Sequence, residues 1–336
     1  MFRSVILLSC WAWAAWPVSA ADSPAVAQGV RVATYSGWEN ALVLAGGDAQ
    51  AVVVPATGGR IAQFALNGDN VLYEEPGSGG KTLANTPAGF AVGGYQCDLG
   101  PELRRIPDHK LLWMGAWQWT APRPHTVSLQ SQPDFGIGVQ LEKEIMVAPD
   151  SGELGLLQRM KNVSSKEVAF CLWDRTVCKG GGFAFFPLNK KSRFKAGWSI
   201  RKEGSGPPTY DGGKPSDPRV RVLGGVLVAE TKGPLLRLGA DSDAGWIAYA
   251  VGRLLFVKHF PVFPSGNYAG AGHSVEFACD GNMASLEPLS PEVNLKPGES
   301  YTFPEKWTLL DLNKPVGSFS AARALGKRVP VSPFKK

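Results

Sequence analysis

Short runs in which apolar and polar residues alternate cover most of the chain. Glycine and proline, 40 and 26 residues, interrupt these runs roughly every eight to twelve positions. The clearest runs are residues 41–44, 51–55, 138–145, 168–173, 220–223 and 253–258. Alternation with a period of two puts successive side chains on opposite faces of a strand. The pattern therefore predicts an all-β protein built from antiparallel sheets.

Helical periodicity is scarce by comparison. Outside residues 1–20, no window of about eleven residues or more repeats apolar positions at the spacing of an amphipathic helix. A short helical turn is predicted near residues 320–325. No internal repeat of fixed length is present, which argues against a β-propeller.

Residues 1–20 have the pattern of a cleaved export signal. They begin with the basic Arg3, continue through an apolar segment and end in small residues at 17–20. The apolar segment is shorter than the roughly 20 residues that a spanning helix needs. We expect a periplasmic or secreted protein that has no membrane contact after cleavage and is a monomer. Residues 21–325 are expected to form one β domain, followed by a basic tail at 326–336.

Charge and cysteine content narrow the classes of partner. Loss of Arg3 with the signal would leave 34 basic and 29 acidic residues spread along the chain. This positive excess is too diffuse to indicate binding of nucleic acid.

Four cysteines would meet an oxidising compartment, namely Cys97, Cys171, Cys178 and Cys279. They could form disulfides in three alternative pairings, and the sequence does not select among them. The spacing of Cys171 and Cys178 suits a bridge across a turn. Neither CxxC nor HExxH occurs, so no metal or cofactor is predicted.

Three tryptophans lie close together before the middle of the chain. If Trp113, Trp117 and Trp119 belong to one extended strand, they share a face, and a row of indoles can stack on the apolar faces of sugar rings. The alternative is that they fill the space between two sheets. Trp113 and Trp117 are the predicted saccharide contacts.

Few side chains are suited to acid–base work at neutral pH, because the chain has four histidines. His109 lies in a polar loop before the tryptophan segment, and His273 follows glycines that allow a close approach to a ligand. Arg60 follows a double-glycine turn. Asp174 and Arg175 end an apolar strand, where they could form a surface ion pair or hold sugar hydroxyls.

The order and spacing of several motifs resemble one known superfamily. The motifs are Gly58–Ile61, Gly93–Tyr95, Gly100–Glu102, Asn162–Ser164, Trp173–Thr176, Gly272–Glu276, Leu286–Pro291, Leu295–Glu299 and Glu305–Trp307. Together they resemble the galactose mutarotase-like superfamily, and more narrowly its exported bacterial members grouped as DUF4380. The resemblance covers most of the mature chain and implies a large antiparallel β-supersandwich.

The resemblance also implies a role for Glu287. In relatives that interconvert sugar anomers, a glutamate at this position takes the proton from the anomeric hydroxyl, and a histidine protonates the ring oxygen. Mutarotases carry that histidine in an Asn-His-x-Tyr-Phe motif, where this chain has Trp173–Thr176. The acid must therefore come from His109, His273 or Asp174.

Three functions follow, in order of preference. The first is an exported protein that binds a mono- or oligosaccharide in a concave groove without catalysis. The second is an aldose 1-epimerase with Glu287 as base and a histidine as acid, and the third is a structural envelope protein. The residues expected to contact a saccharide are Arg60, Glu102, Trp113, Trp117, Arg175 and Glu276.

Overall fold

The computed structural model describes residues 26–101, 106–202, 209–268 and 270–334. The predicted export signal and Glu102 lie outside the described residues, so both stay predictions. The elements in chain order are β1 Val30–Tyr35, β2 Trp38–Gly46, β3 Ala49–Val54, β4 Arg60–Leu66, β5 Asp69–Asn70, β6 Gly94–Gly100, α1 Lys110–Met114, β7 Gln118–Arg123, β8 Thr126–Gln130, β9 Val139–Val147, β10 Leu154–Asn162, β11 Val168–Lys179, β12 Phe183–Pro187, β13 Ser199–Lys202, β14 Thr209–Asp211, β15 Val220–Leu223, β16 Val226–Glu230, β17 Leu236–Ala240, β18 Trp246–Val251, β19 Leu254–His259, β20 Val275–Cys279, β21 Met283–Pro288, β22 Val293–Leu295, β23 Ser300–Asp311 and α2 Phe319–Ala324.

The strands form two antiparallel sheets. The first sheet has the order β1-β2-β3-β4-β6-β11-β21-β20-β17-β13-β14, with β5 paired to β4 and β22 paired to β11. The second has the order β15-β16-β12-β18-β19-β23-β10-β9-β8-β7. Each of the six predicted runs lies in a strand to within one residue at its ends, namely β2, β3, β9, β11, β15 and β19. The all-β prediction is confirmed, and so is the expectation of a large antiparallel sandwich.

One large apolar core fills the space between the sheets. At its centre Trp307 contacts Tyr95, Phe64 and Phe256, with ring centroids 5.4 to 6.0 Å apart. Edge-on and tilted contacts of this kind add stability beyond the area that they bury. The central strands of both sheets are thereby held face to face.

The tryptophan segment differs from its prediction. Residues Lys110–Met114 form the short helix α1, and β7 begins only at Gln118, so Trp113, Trp117 and Trp119 do not share one strand face. Tertiary contacts account for the helix: the Gly58 N–H donates to Gly115 O at 2.7 Å. A Cβ on Gly58 would lie 2.1 Å from the Trp113 carbonyl oxygen, so only glycine allows this approach.

The predicted C-terminal turn is confirmed as α2. The side chain of Ser318 caps it by accepting a hydrogen bond from the Ala321 N–H, which satisfies one of the unpaired donors at the helix start. The ring of Phe319 packs on the ring of Phe183 of the second sheet, with the ring centroids 5.4 Å apart. Farther on, the carbonyl of Pro330 contacts His259 Nε2 at 3.0 Å. No helix among the described residues is long and apolar enough to cross a membrane.

No disulfide joins the cysteines of the described chain, and all four are buried. The bridge suggested for Cys171 and Cys178 is wrong, because both residues lie in β11. Their separation is odd, so their side chains point to opposite faces of the first sheet.

A buried polar network ties the two sheets together. Lys258 of β19 forms ion pairs with Asp174 of β11 and with Glu305 of β23, the latter at 3.4 Å. Its ammonium group also donates to Thr176 Oγ1 at 2.7 Å. The side chains of the ion pairs are fully buried. The attraction between opposite charges and the hydrogen bonds must therefore offset a large desolvation cost.

We predict that Lys258→Met destabilises the fold by about 3–5 kcal/mol, because it leaves two buried carboxylates without their cation. Urea unfolding followed by circular dichroism measures the change. The matched control is the triple variant Asp174→Asn, Lys258→Met and Glu305→Gln, which buries no charge and should lose less stability. Equal stability of Lys258→Met and the unmodified protein would contradict this account.

Candidate functional site

Strand β11 determines which face of the first sheet carries the candidate site. Asp174 points toward the second sheet, since it pairs with Lys258 there. Side chains alternate along a strand, so Trp173 and Arg175 point the other way. We call this side of the first sheet, which faces away from the second sheet, the outer face.

Strand register aligns polar residues into one row across the outer face. Arg175 pairs with Gln96 of β6, Glu276 pairs with Glu287 of β21, and Gly239 pairs with both Glu276 and Ser199. The pairs Thr176–Leu286 and Trp173–Leu289 share a register that puts Arg175 opposite Glu287. We call the resulting set the charged row: Gln96, Arg175, Glu287, Glu276, Gly239 and Ser199.

Glu287 occupies the middle of the charged row. It is 2% exposed, and its Oε2 accepts a hydrogen bond of 3.1 Å from the Trp173 indole. Burial raises the pKa of Glu287; the charge of Arg175 opposes that rise, and the neighbouring Glu276 adds to it. A carboxyl group with a raised pKa is suited to exchanging a proton near neutral pH.

Glu276, the neighbour of Glu287 on β20, is held by two side chains. Its Oε1 lies 2.8 Å from His273 Nδ1, and the Tyr210 hydroxyl donates to Oε2 at 3.1 Å. The other ring nitrogen of His273 lies 2.7 Å from Ser199 Oγ. His273 thus has both nitrogens engaged within the protein.

His109 reaches the other end of the charged row through Asp98 of β6. Its Nδ1 donates to Pro107 O at 2.7 Å, and its Nε2 lies 2.8 Å from Asp98 Oδ1. A carbonyl oxygen can only accept, so Nδ1 carries a proton, and Nε2 donates as well when Asp98 is ionised. Arg175 donates to Asp98 Oδ2 at 3.5 Å, with its guanidinium 4.8 Å from the Trp173 ring centre.

The Asp98–His109 contact shifts the pKa values of both groups. Burial opposes ionisation of each group but is outweighed by their hydrogen bond and mutual attraction. The pKa of Asp98 is consequently lowered, with help from Arg175, and the pKa of His109 is raised. Both shifts favour the charged forms of the pair.

The structure brings five of the predicted residues to the outer face: Glu287, Glu276, Arg175, His109 and His273. Asp174 is not among them, and its prediction as a catalytic acid is wrong. It lies on the opposite face of β11, where it holds Lys258. A neighbouring position in a strand always has the opposite orientation, so Asp174 and Arg175 could not both face a ligand.

Arg60 and Trp117 are held by structural contacts, whereas Trp113 is half-buried in α1. Arg60 is 1% exposed and donates to Gly93 O at 2.8 Å and to Trp113 O at 3.4 Å. Burial lowers its pKa to about 9. Trp117 is 4% exposed, and its indole donates to Leu112 O at 3.0 Å. Trp117 therefore belongs to the core, which agrees with the interpretation that it fills the space between the sheets and not with a sugar-stacking surface.

Sequence reasoning missed Asp98, Trp173, Ser199 and Tyr210 as members of the site. Asp98 alternates with the apolar Cys97 and Leu99 along β6, so the two-residue period offered a signal for it. Tyr210 lies in the three-residue strand β14, which is too short for a two-residue period to mark it. Among the described residues, no three His, Cys, Asp or Glu side chains are placed to hold a metal ion.

Comparison with solved structures shows which fold this is. A galactose mutarotase-like protein from Lactobacillus casei ATCC 334 is 11% identical, with a TM-score of 0.55 over 80% of this chain and 100% of that chain. A similar protein from Clostridium acetobutylicum is 11% identical, with a TM-score of 0.54 over 84% and 98% of the two chains. A candidate aldose 1-epimerase from Escherichia coli K12 is 12% identical, with a TM-score of 0.57 over 80% and 98%.

The chain has the galactose mutarotase-like fold. No family model and no curated protein matches the sequence, so the narrower assignment to DUF4380 stays a prediction. At these levels of identity the likeness concerns the fold alone.

We predict that the His109–Asp98 pair stabilises the protein most between about pH 4 and about pH 6.5, the ordinary pKa values of the two groups. Above that range the contribution of His109, whose pKa is raised by folding, is lost as pH rises through its folded value. Below it the contribution of Asp98, whose pKa is lowered, is lost as pH falls.

Urea unfolding of the unmodified protein and of His109→Gln should therefore differ by on the order of 1 kcal/mol near pH 5.5. The difference should shrink near pH 9. Asp98→Asn is the matched variant and should show the same trend above pH 4. A difference that does not change between the two pH values would contradict the ion pair.

Proposed function

We propose that the protein binds a saccharide on the outer face of the first sheet, around Glu287. The observation that carries the proposal is the convergence of Glu287, Glu276 and Arg175 on neighbouring strands of one sheet face. Carboxylates and guanidinium groups make the directional hydrogen bonds that sugar hydroxyls need. Arg175 is 31% exposed at its side chain and offers the point of entry.

The proposal extends to where the protein works. With residues 1–20 read as a cleaved signal, the binding domain would operate in the periplasm or outside the cell. A mono- or oligosaccharide is the expected partner there. The fold supports this choice of ligand, since the Lactobacillus and Clostridium structures are described as galactose mutarotase-like.

Binding is predicted to change the intrinsic tryptophan fluorescence, because Trp173 contacts the carboxylate that would hold the sugar. A panel of mono- and oligosaccharides is titrated into the protein, and affinity is confirmed by calorimetry. Glu287→Gln keeps the size of the side chain but removes its charge, and should weaken binding roughly tenfold or more.

The control is Glu142→Gln, which removes a carboxylate from β9 of the second sheet and should leave affinity unchanged. Trp173→Phe should abolish the fluorescence change but retain part of the affinity. No heat and no fluorescence change across the panel would contradict saccharide binding and favour the structural envelope role.

An aldose 1-epimerase is the second candidate, favoured by a carboxyl group and a histidine that lie on the same side of the first sheet and whose pKa values are both raised. Glu287 would take the proton from the anomeric hydroxyl, and His109 would give its proton to the ring oxygen as the ring opens. Closure after bond rotation reverses both transfers, so no group is consumed.

We predict that, if this activity is present, the protein accelerates the change in optical rotation of freshly dissolved α-glucose or α-galactose. Glu287→Gln and His109→Gln should each lower the rate by roughly 100-fold or more, the usual contribution of a general acid or base. Glu142→Gln again serves as the control. A rate equal to that of buffer would remove this candidate and leave the binding proposal intact.

A further inference from the structure

A buried chain of three side chains ends beside Glu287. Ser199 Oγ lies 2.7 Å from His273 Nε2, and His273 Nδ1 lies 2.8 Å from Glu276 Oε1. Glu276 is the direct register partner of Glu287 on the adjacent strand. Antiparallel partners have Cβ atoms about 4.5–5.5 Å apart, so the chain ends next to the central carboxyl group.

The same three residues match the order of a hydrolytic serine–histidine–acid triad, but burial argues against that activity. Ser199 is 0% exposed and His273 is 1% exposed. The rings of Phe194 and Tyr210 pack against the imidazole, with centroids 5.1 and 4.6 Å away. An acyl substrate cannot reach Ser199 Oγ beneath these groups. The hydrogen-bonded series therefore exerts its effect at Glu276, the residue that lies beside Glu287.

The hydrogen-bond partners determine where the proton of His273 lies. The Ser199 hydroxyl is much closer to His273 Nε2, at 2.7 Å, than to Gly239 O, at 3.4 Å. Because an ionised carboxylate can only accept, the contact with Glu276 Oε1 places a ring proton on Nδ1, which donates to Glu276. Gly239 makes this arrangement possible, because a Cβ there would lie 2.4 Å from Nδ1.

Glu276 cannot turn away while this donor is in place, since Tyr210 holds its second oxygen. Its charge consequently stays directed at Glu287. The other charged groups that act on Glu287 are Arg175 of β11 and Arg237 of β17, and both oppose the effect of Glu276. The protonation of Glu287 is thus a balance in which the position of Glu276 matters.

We propose that His273, oriented by Ser199, is a positioning residue that fixes the Glu276 carboxylate beside Glu287 and thereby controls the protonation of Glu287. The use of that control in a saccharide site rests on the proposed function. The control itself can be measured without any saccharide, so the two ideas can fail separately.

Two substitutions of His273 separate its two contacts. The amide nitrogen of asparagine can take the place of Nδ1, so His273→Asn keeps the donor to Glu276 and loses the contact with Ser199. The longer glutamine places its amide nitrogen near Nε2, so His273→Gln keeps the contact with Ser199 and loses the donor to Glu276. If His273 only filled space, the two variants would have the same effect on the titration of Glu287.

The readout is the titration of the Glu287 carboxyl carbon by NMR in the full chain, with its signal assigned by its loss in Glu287→Gln. Glu276→Gln should lower the midpoint by roughly one pH unit, the usual effect of removing a like charge at this range. His273→Gln should lower it in the same direction, and His273→Asn should leave it unchanged. Circular dichroism confirms that each variant is folded.

A Glu287 midpoint in folded His273→Gln equal to that of the unmodified protein would overturn the proposal, as would equal shifts in the two His273 variants. A second measurement needs no variant: side-chain nitrogen NMR of the unmodified protein should find the His273 proton on Nδ1. The chain has four histidines, so the signals are few. A proton found on Nε2 alone would also overturn it.

Discussion

The two-residue alternation of β11 is the constraint on which the rest of the structure depends. Asp174 and Thr176 point into the space between the sheets, where Lys258 contacts both. Trp173 and Arg175 point to the outer face. A shift of one residue would exchange the two sets, leaving Lys258 without its partners and the outer face without its guanidinium.

Three carboxyl groups on the outer face differ because their partners differ. Asp98 faces the cations His109 and Arg175, which lower its pKa despite burial. Glu276 accepts from His273 and Tyr210. Glu287 has an indole N–H as a donor, and burial raises its pKa. Neighbouring carboxyl groups in unlike environments are a common basis for assigning acid and base roles.

Local sequence was sufficient for the strands and for part of the site, since alternation depends on nearby residues alone. Prediction from local sequence failed where contacts with residues far along the chain determine the conformation or the role of a residue. Trp113 lies in the short helix α1, and its carbonyl accepts from Arg60, a partner 53 residues away. The role of Ser199 depends on His273, 74 residues farther along. Asp174 was misassigned because alternation separates it from Arg175 without revealing which of the two faces the core.

The contacts of His109 bear on whether the site binds or also catalyses. Both ring protons are donated, one to Pro107 O and one to Asp98. The attraction to Asp98 that raises the pKa of His109 also directs its Nε2 proton toward the carboxylate. Transfer to a sugar oxygen would require the ligand to displace Asp98 first. Binding requires no such exchange, and for this reason saccharide binding stands ahead of epimerisation.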